Sequence, residues 1–296
     1  MIIGLTGATG HLGRRVAELL ADRLERGELP HVERIVAVTR RPAAAEGLAA
    51  RGVDVRAGDF DDPAGLATAF AGVDRLLIVS TDDLRPGQRV RQHRAAIDAA
   101  VAAGVRHLVY TSVTEPGGPE PAELNAQHRA TEEHLGAVAP AWTFLRNNIY
   151  ADLLVQQYVA PSGDAVVTNA GLGRAPYVAR EDCAAVAVAV LASLDDDHAG
   201  QVYDVTGPAS LTVADLVPLL SRSVGAELAL VDVTDEQTLA GLVAAGLPEP
   251  VARIFTGFGI ALRSGHFDVA SDVVERLTGR PPLPVEAVLR AAAAVG

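Results

Sequence analysis

The stretch "LTGATGHLGRRVAEL" at 5–19 sets Gly7, Gly10 and Gly13 in a G-x-x-G-x-x-G spacing, between an apolar run and an amphipathic one. That context matters, because many strand-to-helix turns carry a glycine and bind nothing. A glycine at Gly7 permits a tight turn, one at Gly10 lets the backbone approach a pyrophosphate, and one at Gly13 lets a helix pack close against a strand. The helix that follows offers unpaired N–H groups and the positive end of its dipole to phosphate. The spacing therefore predicts a dinucleotide site.

A second stretch refines the expectation. "RIVAVTRRP" ends in Arg40 and Arg41, where a fold that holds NAD usually places Asp or Glu for the ribose 2′-hydroxyl. Two guanidinium groups suit a 2′-phosphate, so NADP(H) is expected over NAD(H); a solvated two-arginine turn is the alternative. Asp59 and Phe60 follow a third apolar run, and Ser80 and Thr81 a fourth. Both pairs fall where open α/β sheets bind ligands. Turn capping by Asp59 or Ser80, and core filling by Phe60, explain the same residues without a ligand.

These residues need a scaffold, and the first half of the chain supplies one by alternating short apolar runs with helical periodicity, the mark of βαβ units. Strands are expected over 2–6, 34–38, 53–57, 75–79, 107–110 and 143–146, and helices over 11–26, 63–70, 87–103 and 126–135. The run "GVDRLLIVST" is apolar through its centre, as a strand covered on both faces is. Beyond 146 the rhythm loosens, with helices expected over 181–194, 213–224, 235–245, 250–262 and 285–294 and short strands in "QVYDVTG" and "ELALVDV". The expected fold is α/β: a Rossmann-type doubly wound parallel sheet with helices on both faces and a smaller C-terminal α+β part. The division expected is an NADP-binding core over 1–150 and a mostly substrate-covering part over 151–296, with some elements returning to the core.

Composition excludes several functions. With 296 residues and 49% hydrophobic residues the chain can bury a large core. Its longest apolar stretch, "CAAVAVAVLASL" at 183–194, is too short to span a bilayer, and "MIIGLTG" carries no export signal. The single cysteine, Cys183, fits a reducing compartment and excludes a thiolate metal cluster. A cytoplasmic chain without a metal is expected. A net charge of −12 argues against nucleic acid and anionic membranes as partners. All 25 basic residues are arginine, and there is no lysine.

"TGATGHLGRRV", "AVTRRP", "AGDFDDPAGLATAFAGVDRLLIVS", "HRAAIDAAVAAGVRHLVYTSV" and "WTFLRNNIYADLL" occur in this order. Together they resemble the NmrA-like atypical short-chain dehydrogenase/reductases, and within them the type 2 NAD(P)H:quinone oxidoreductases and triphenylmethane dye reductases. The resemblance implies NADP(H) contacts at Gly7, Thr9, Gly10, His11 and Leu12, at Arg40, after the fourth strand, and at Asn147, Asn148 and Tyr150 in "RNNIY". It also implies a nicotinamide ring near that last segment.

Ordinary short-chain dehydrogenases pair tyrosine and lysine in Y-x-x-x-K, the lysine lowering the pKa of a phenol that donates a proton to the substrate. A chain without lysine cannot build that pair, and Glu132 and Glu133 stand in the region where the lysine is expected. A conjugated acceptor such as a quinone spreads the incoming charge and takes protons from solvent afterwards, so position and an apolar pocket suffice. The candidate pocket residues are Tyr110, Ser112, His128, Asn147 and Tyr150, and none is assigned as a certain catalytic group. Each has a structural alternative, such as capping for Ser112, an exposed ion pair with Glu132 for His128, and core packing for Tyr150. The expected function is NADPH-dependent reduction of a small aromatic or quinone-like substrate. A regulatory protein of the same family that senses NADP(H) without turnover is the alternative, and a homodimer is left open.

Overall fold

The chain, described by a computed structural model over residues 1–85, 87–115, 123–160, 163–195 and 197–293, turns its short apolar runs into strands and its periodic runs into crossover helices. The first half holds β1 (Ile2–Leu5), α1 (His11–Glu25), β2 (Arg34–Thr39), α2 (Glu46–Ala49), β3 (Asp54–Ala57), α3 (Pro63–Ala69), β4 (Arg75–Ile78), α4 (Gln88–Ala102), β5 (His107–Val113), α5 (Glu123–Val138) and β6 (Trp142–Asn147). The second half holds α6 (Leu154–Tyr158), β7 (Ala165–Thr168), β8 (Arg174–Ala175), α7 (Arg180–Leu191), β9 (Gln201–Val205), β10 (Leu211–Thr212), α8 (Val213–Val224) and β11 (Ala229–Asp232). It closes with α9 (Asp235–Ala244), α10 (Glu249–Arg263), α11 (Val273–Thr278) and α12 (Val285–Ala293). No helix among the described residues is long and apolar enough to cross a membrane.

Seven strands form one sheet in the order β3-β2-β1-β4-β5-β6-β9, the Rossmann-type doubly wound arrangement. The β2–β3, β1–β2, β1–β4 and β4–β5 ladders are parallel. The chain winds outward from β1 through β2 to β3, then restarts at β4 on the other side of β1. Strand order thus reverses between β1 and β4, and the carboxyl ends of those two strands bound the crevice where such sheets take ligands. All four residues of β4 and all seven of β5 are buried, as central strands covered on both faces must be.

Two compact units divide the chain: Met1–Ser112 with Gln127–Arg146 and Cys183–Tyr203, and Val113–Ala126 with Asn147–Asp182 and Asp204–Gly296. The first contains a core cluster that includes Leu66, Phe70, Leu76, Ile78, Ile97 and Leu108. The second has its own, around Leu154, Tyr177, Leu216, Phe267 and Leu289, and carries an antiparallel β8–β10 pair and a parallel β7–β11 pair.

Several boundaries differ from those read off the sequence, each for a local reason. Strand β5 continues three residues past 110, because Thr111, Ser112 and Val113 stay buried and a β-branched run suits the pleat. Helix α7 stops at Leu191 because Arg75 caps it, its guanidinium donating to the carbonyls of Leu191, Ser193 and Asp195 at 3.4, 2.6 and 3.0 Å. The "QVYDVTG" segment, grouped by sequence with the C-terminal part, supplies β9, the seventh strand of the main sheet. Residue 294, where the last helix was expected to end, lies outside the described residues.

Helix α1 buries a stripe of Leu12, Gly13, Val16, Ala17, Leu20 and Ala21, the helical spacing of a face laid on a sheet. At its start the contact is closer than any side chain allows. A Cβ on Gly13 would stand 2.4 Å from the Gly7 carbonyl oxygen and 2.9 Å from that of Thr6. Gly7 itself turns the chain with φ +67, a conformation that glycine adopts without steric cost. Gly13→Ala is expected to lower the unfolding free energy by about 2 kcal/mol through overpacking, measured by urea denaturation. The control is Gly47→Ala, where a Cβ meets nothing within 4 Å, and it should not destabilise the chain.

Candidate functional site

The turn from β1 into α1 pairs some of its amides and leaves those of the first helical turn without an acceptor in the helix. Gly10 N–H donates to the Gly7 carbonyl at 2.9 Å, and Arg14 N–H to the Gly10 carbonyl at 2.9 Å. The N-cap, Gly10, has no side chain to cap the helix. The amides of His11, Leu12 and Gly13 therefore have no acceptor within the helix, as holds for every first turn, and they carry the positive end of the dipole. Thr9 is fixed by a 2.9 Å hydroxyl contact with Thr39. This turn fits a pyrophosphate: it offers unpaired donors, and small residues stand where the backbone must come close.

Arg40 and Arg41 follow β2 with exposed side chains, and neither guanidinium pairs with another described residue. In a chain whose other arginines form many ion pairs, two adjacent unpaired ones past the second strand suit a phosphate monoester. Asp59 caps its own turn, Oδ1 accepting from Asp61 N–H at 3.0 Å, and Phe60 packs against the core cluster of the first unit. Ser80 N–H and Thr81 N–H donate to Thr111 Oγ1 and His93 Nε2, at 2.9 and 3.0 Å.

Two of the expected pocket residues turn inward. Tyr110 is fully buried and His128 is 4% exposed. The Tyr110 hydroxyl lies 2.8 Å from His128 Nδ1 and 3.2 Å from His93 Nδ1, His93 Nδ1 lies 3.1 Å from Thr131 Oγ1, and Arg89 Nη2 lies 3.2 Å from His128 Nε2. Burial pushes the Tyr110 phenol up. Burial first, and the charge of Arg89 second, push His93 down to about 3 and His128 well below the usual imidazole range. His128 thus makes no exposed pair with Glu132, which instead binds Arg146 of β6 through two hydrogen bonds of 2.7 and 3.0 Å. Ser112 is buried as well, and its hydroxyl has no partner among the described residues.

Sequence reasoning passed over Arg89, His93 and Thr111. A signal was there, since Arg89 and His93 fall on the same helical stripe as Ala96, Ile97 and Ala100, which is buried. Polar residues that interrupt an apolar face at spacings of three and four mark a polar cluster inside a core.

In the second unit, Asn147 donates through Nδ2 to the Tyr150 hydroxyl at 3.1 Å, and its buried Oδ1 has no partner among the described residues. Asn148 is fully engaged: Nδ2 donates to the Phe267 carbonyl at 2.9 Å and Oδ1 accepts from Ile149 N–H at 2.8 Å. The Arg180 guanidinium lies 5.2 Å from the centroid of the half-buried Tyr150 ring, a cation–π contact.

A doubly wound sheet with a glycine turn at its switch point defines a dinucleotide-binding protein of Rossmann type. Residues 2–268 match the NmrA-like family, and the chain belongs to it. Quinone oxidoreductase 2 of Escherichia coli is 33% identical, over 95% of this chain and 94% of that one. An NAD(P)H azoreductase of Xenophilus azovorans is 30% identical over the same shares, 95% and 94%. The crystal structure of the triphenylmethane reductase of Citrobacter sp. complexed with NADP(H) superposes with a TM-score of 0.85 at 32% identity, covering 98% of this chain and 99% of that one.

The inward histidines make stability depend on pH. Their folded pKa values lie below the ordinary imidazole value of about 6.5, so below that pH the unfolded chain binds more protons and stability falls as acid is added. Each imidazole is expected to remove about 2 kcal/mol between pH 6.5 and pH 5, read as a lower urea midpoint. His128→Gln, whose amide takes up no proton, should show a weaker pH dependence.

Proposed function

We propose that this chain is an NADPH-dependent reductase that delivers hydride to a quinone or another conjugated aromatic acceptor, with no tyrosine–lysine pair to donate a proton. That it is an oxidoreductase follows from relatives of that class matched along nearly their whole length. The observation that carries the finer reading is the state of Tyr110. The phenol lies sealed in a buried cluster and is pushed up by burial, and the chain has no lysine to lower it. A carbonyl reduction that must be paired with proton donation has no donor there. An acceptor that spreads negative charge over a conjugated system needs none.

Nicotinamide, when bound, supplies the hydride. The residues of this chain supply position. The first-turn amides of α1 hold the pyrophosphate, Arg40 and Arg41 pair with the 2′-phosphate, and Ser80 and Thr81 flank the crevice at the end of β4. Ser112 in the first unit and, separately, Asn147 in the second each keep a buried polar atom without a partner among the described residues, and each is assigned a ligand contact, which satisfies that atom at no further desolvation cost. Tyr150 shares the assignment of Asn147 through the bond between them. Residues 151–296 are assigned the acceptor within this same reading. The relatives act on a quinone, an azo compound and a triphenylmethane dye by their names, three conjugated acceptors of different shape.

Purified protein is expected to oxidise NADPH when given a panel of quinones. Saturable NADPH binding with an inert panel would return the sensor reading. Replacing Arg40 and Arg41 together by alanine should raise KM for NADPH about tenfold or more, the scale of a lost charge-assisted bond, and leave KM for NADH unchanged. Equal effects on both cofactors would remove the two arginines from the 2′-phosphate.

A further inference from the structure

Three consecutive amides after β4 are each held by a side chain from a different element. Val79 N–H donates to Thr6 Oγ1 at 2.9 Å, Ser80 N–H to Thr111 Oγ1 at 2.9 Å, and Thr81 N–H to His93 Nε2 at 3.0 Å. Thr6 follows β1, Thr111 lies in β5 and His93 in α4. This segment abuts the glycine turn, since a Cβ on Gly7 would stand 3.3 Å from Val79 Cβ. Its course is therefore templated from three sides at the point where strand order reverses.

The hydrogen bonds around His93 leave its proton one place to be. A ring nitrogen that accepts a hydrogen bond carries no proton, so His93 Nε2, accepting from Thr81, leaves the proton on Nδ1. That N–H faces two acceptors, Thr131 Oγ1 at 3.1 Å and the Tyr110 oxygen at 3.2 Å. Thr131 in turn donates to the Gln127 carbonyl at 2.9 Å. From the far side Arg89, a donor only, meets His128 Nε2 at 3.2 Å and so places the His128 proton on Nδ1, 2.8 Å from the Tyr110 oxygen. Both imidazoles are neutral and both take the Nδ1–H form. Burial first, and the fixed charge of Arg89 second, oppose a second proton on either ring, which keeps His93 Nε2 available as an acceptor.

We propose that His93 is a positioning residue for the dinucleotide: as a neutral Nδ1–H imidazole it accepts the Thr81 amide and fixes residues 79–81 beside the glycine turn. The inference rests on the NADP(H) reading above, and goes beyond it by assigning the shape of the crevice wall to a side chain buried in α4. Without that acceptor the Thr81 amide must find water, and the segment leaves the path that the cofactor meets.

Two measurements test it. In protein carrying 15N-labelled histidine, long-range proton–nitrogen spectra without cofactor should show His93 as the Nδ1–H form. The Nε2–H form, or an imidazolium at neutral pH, overturns the proposal whether or not any variant folds. Calorimetric titration with NADPH should find His93→Leu weakened about tenfold, with KM for NADPH raised more than kcat is lowered. His93→Gln, whose carbonyl oxygen reaches the same amide, should stay within about threefold of the parent. A folded His93→Leu that binds NADPH as tightly as the parent overturns the proposal. A parent that does not bind NADPH sinks the functional reading instead, and the tautomer spectrum still reports on the clamp.

Discussion

Gly13 stands so near the Gly7 carbonyl that a side chain there would occupy the turn itself, and the rest of the crevice geometry follows from that closeness. The helix can begin directly behind the strand because Gly13 has no Cβ in the way and Gly7 turns the chain at φ +67. Its first amides then emerge at the carboxyl end of β1, next to β4, rather than one turn further off. The absence of a capping side chain at Gly10 leaves those amides unpaired within the helix, a local cost to the helix that a bound anion offsets.

Beside this open, donor-rich turn the first unit buries a set of polar side chains that face one another. Burying Arg89, His93, Tyr110 and His128 carries a desolvation cost that only mutual hydrogen bonding offsets. The result is a cluster in which a phenol and two imidazoles surround the one fixed charge of Arg89. Tyrosine and histidine are the usual materials of acid–base catalysis, yet here burial drives each toward its neutral form. Their service is geometric: they lock α4 and α5 against β5, and through His93 they reach the segment after β4.

Much of this was legible in the chain. The glycine spacing and the apolar run of β4 announced the fold, because backbone geometry and strand burial leave local marks. Helix α8 was read to the residue, since Thr212 and Asp215 close a capping box and Gly225 ends it with φ +72. The inward turn of Tyr110 and His128 was not legible. Each depends on a residue 17 or more positions away in sequence, and no local pattern reports such a partner. The same holds for the early end of α7, set by Arg75 from 116 positions upstream, and for β9 joining the main sheet. Residues that look reactive in a list become structural once distant partners claim their hydrogen bonds.

The choice of arginine for every cation has a chemical corollary. Conjugated electrophiles alkylate thiolates and free amines, and a protein that handles them risks modifying itself. This chain has no lysine and buries its one thiol, Cys183. Guanidinium groups stay protonated and are poor nucleophiles at neutral pH, and a buried thiol is inert. Neither a lysine amine nor an exposed cysteine thiol is thus offered to such a compound.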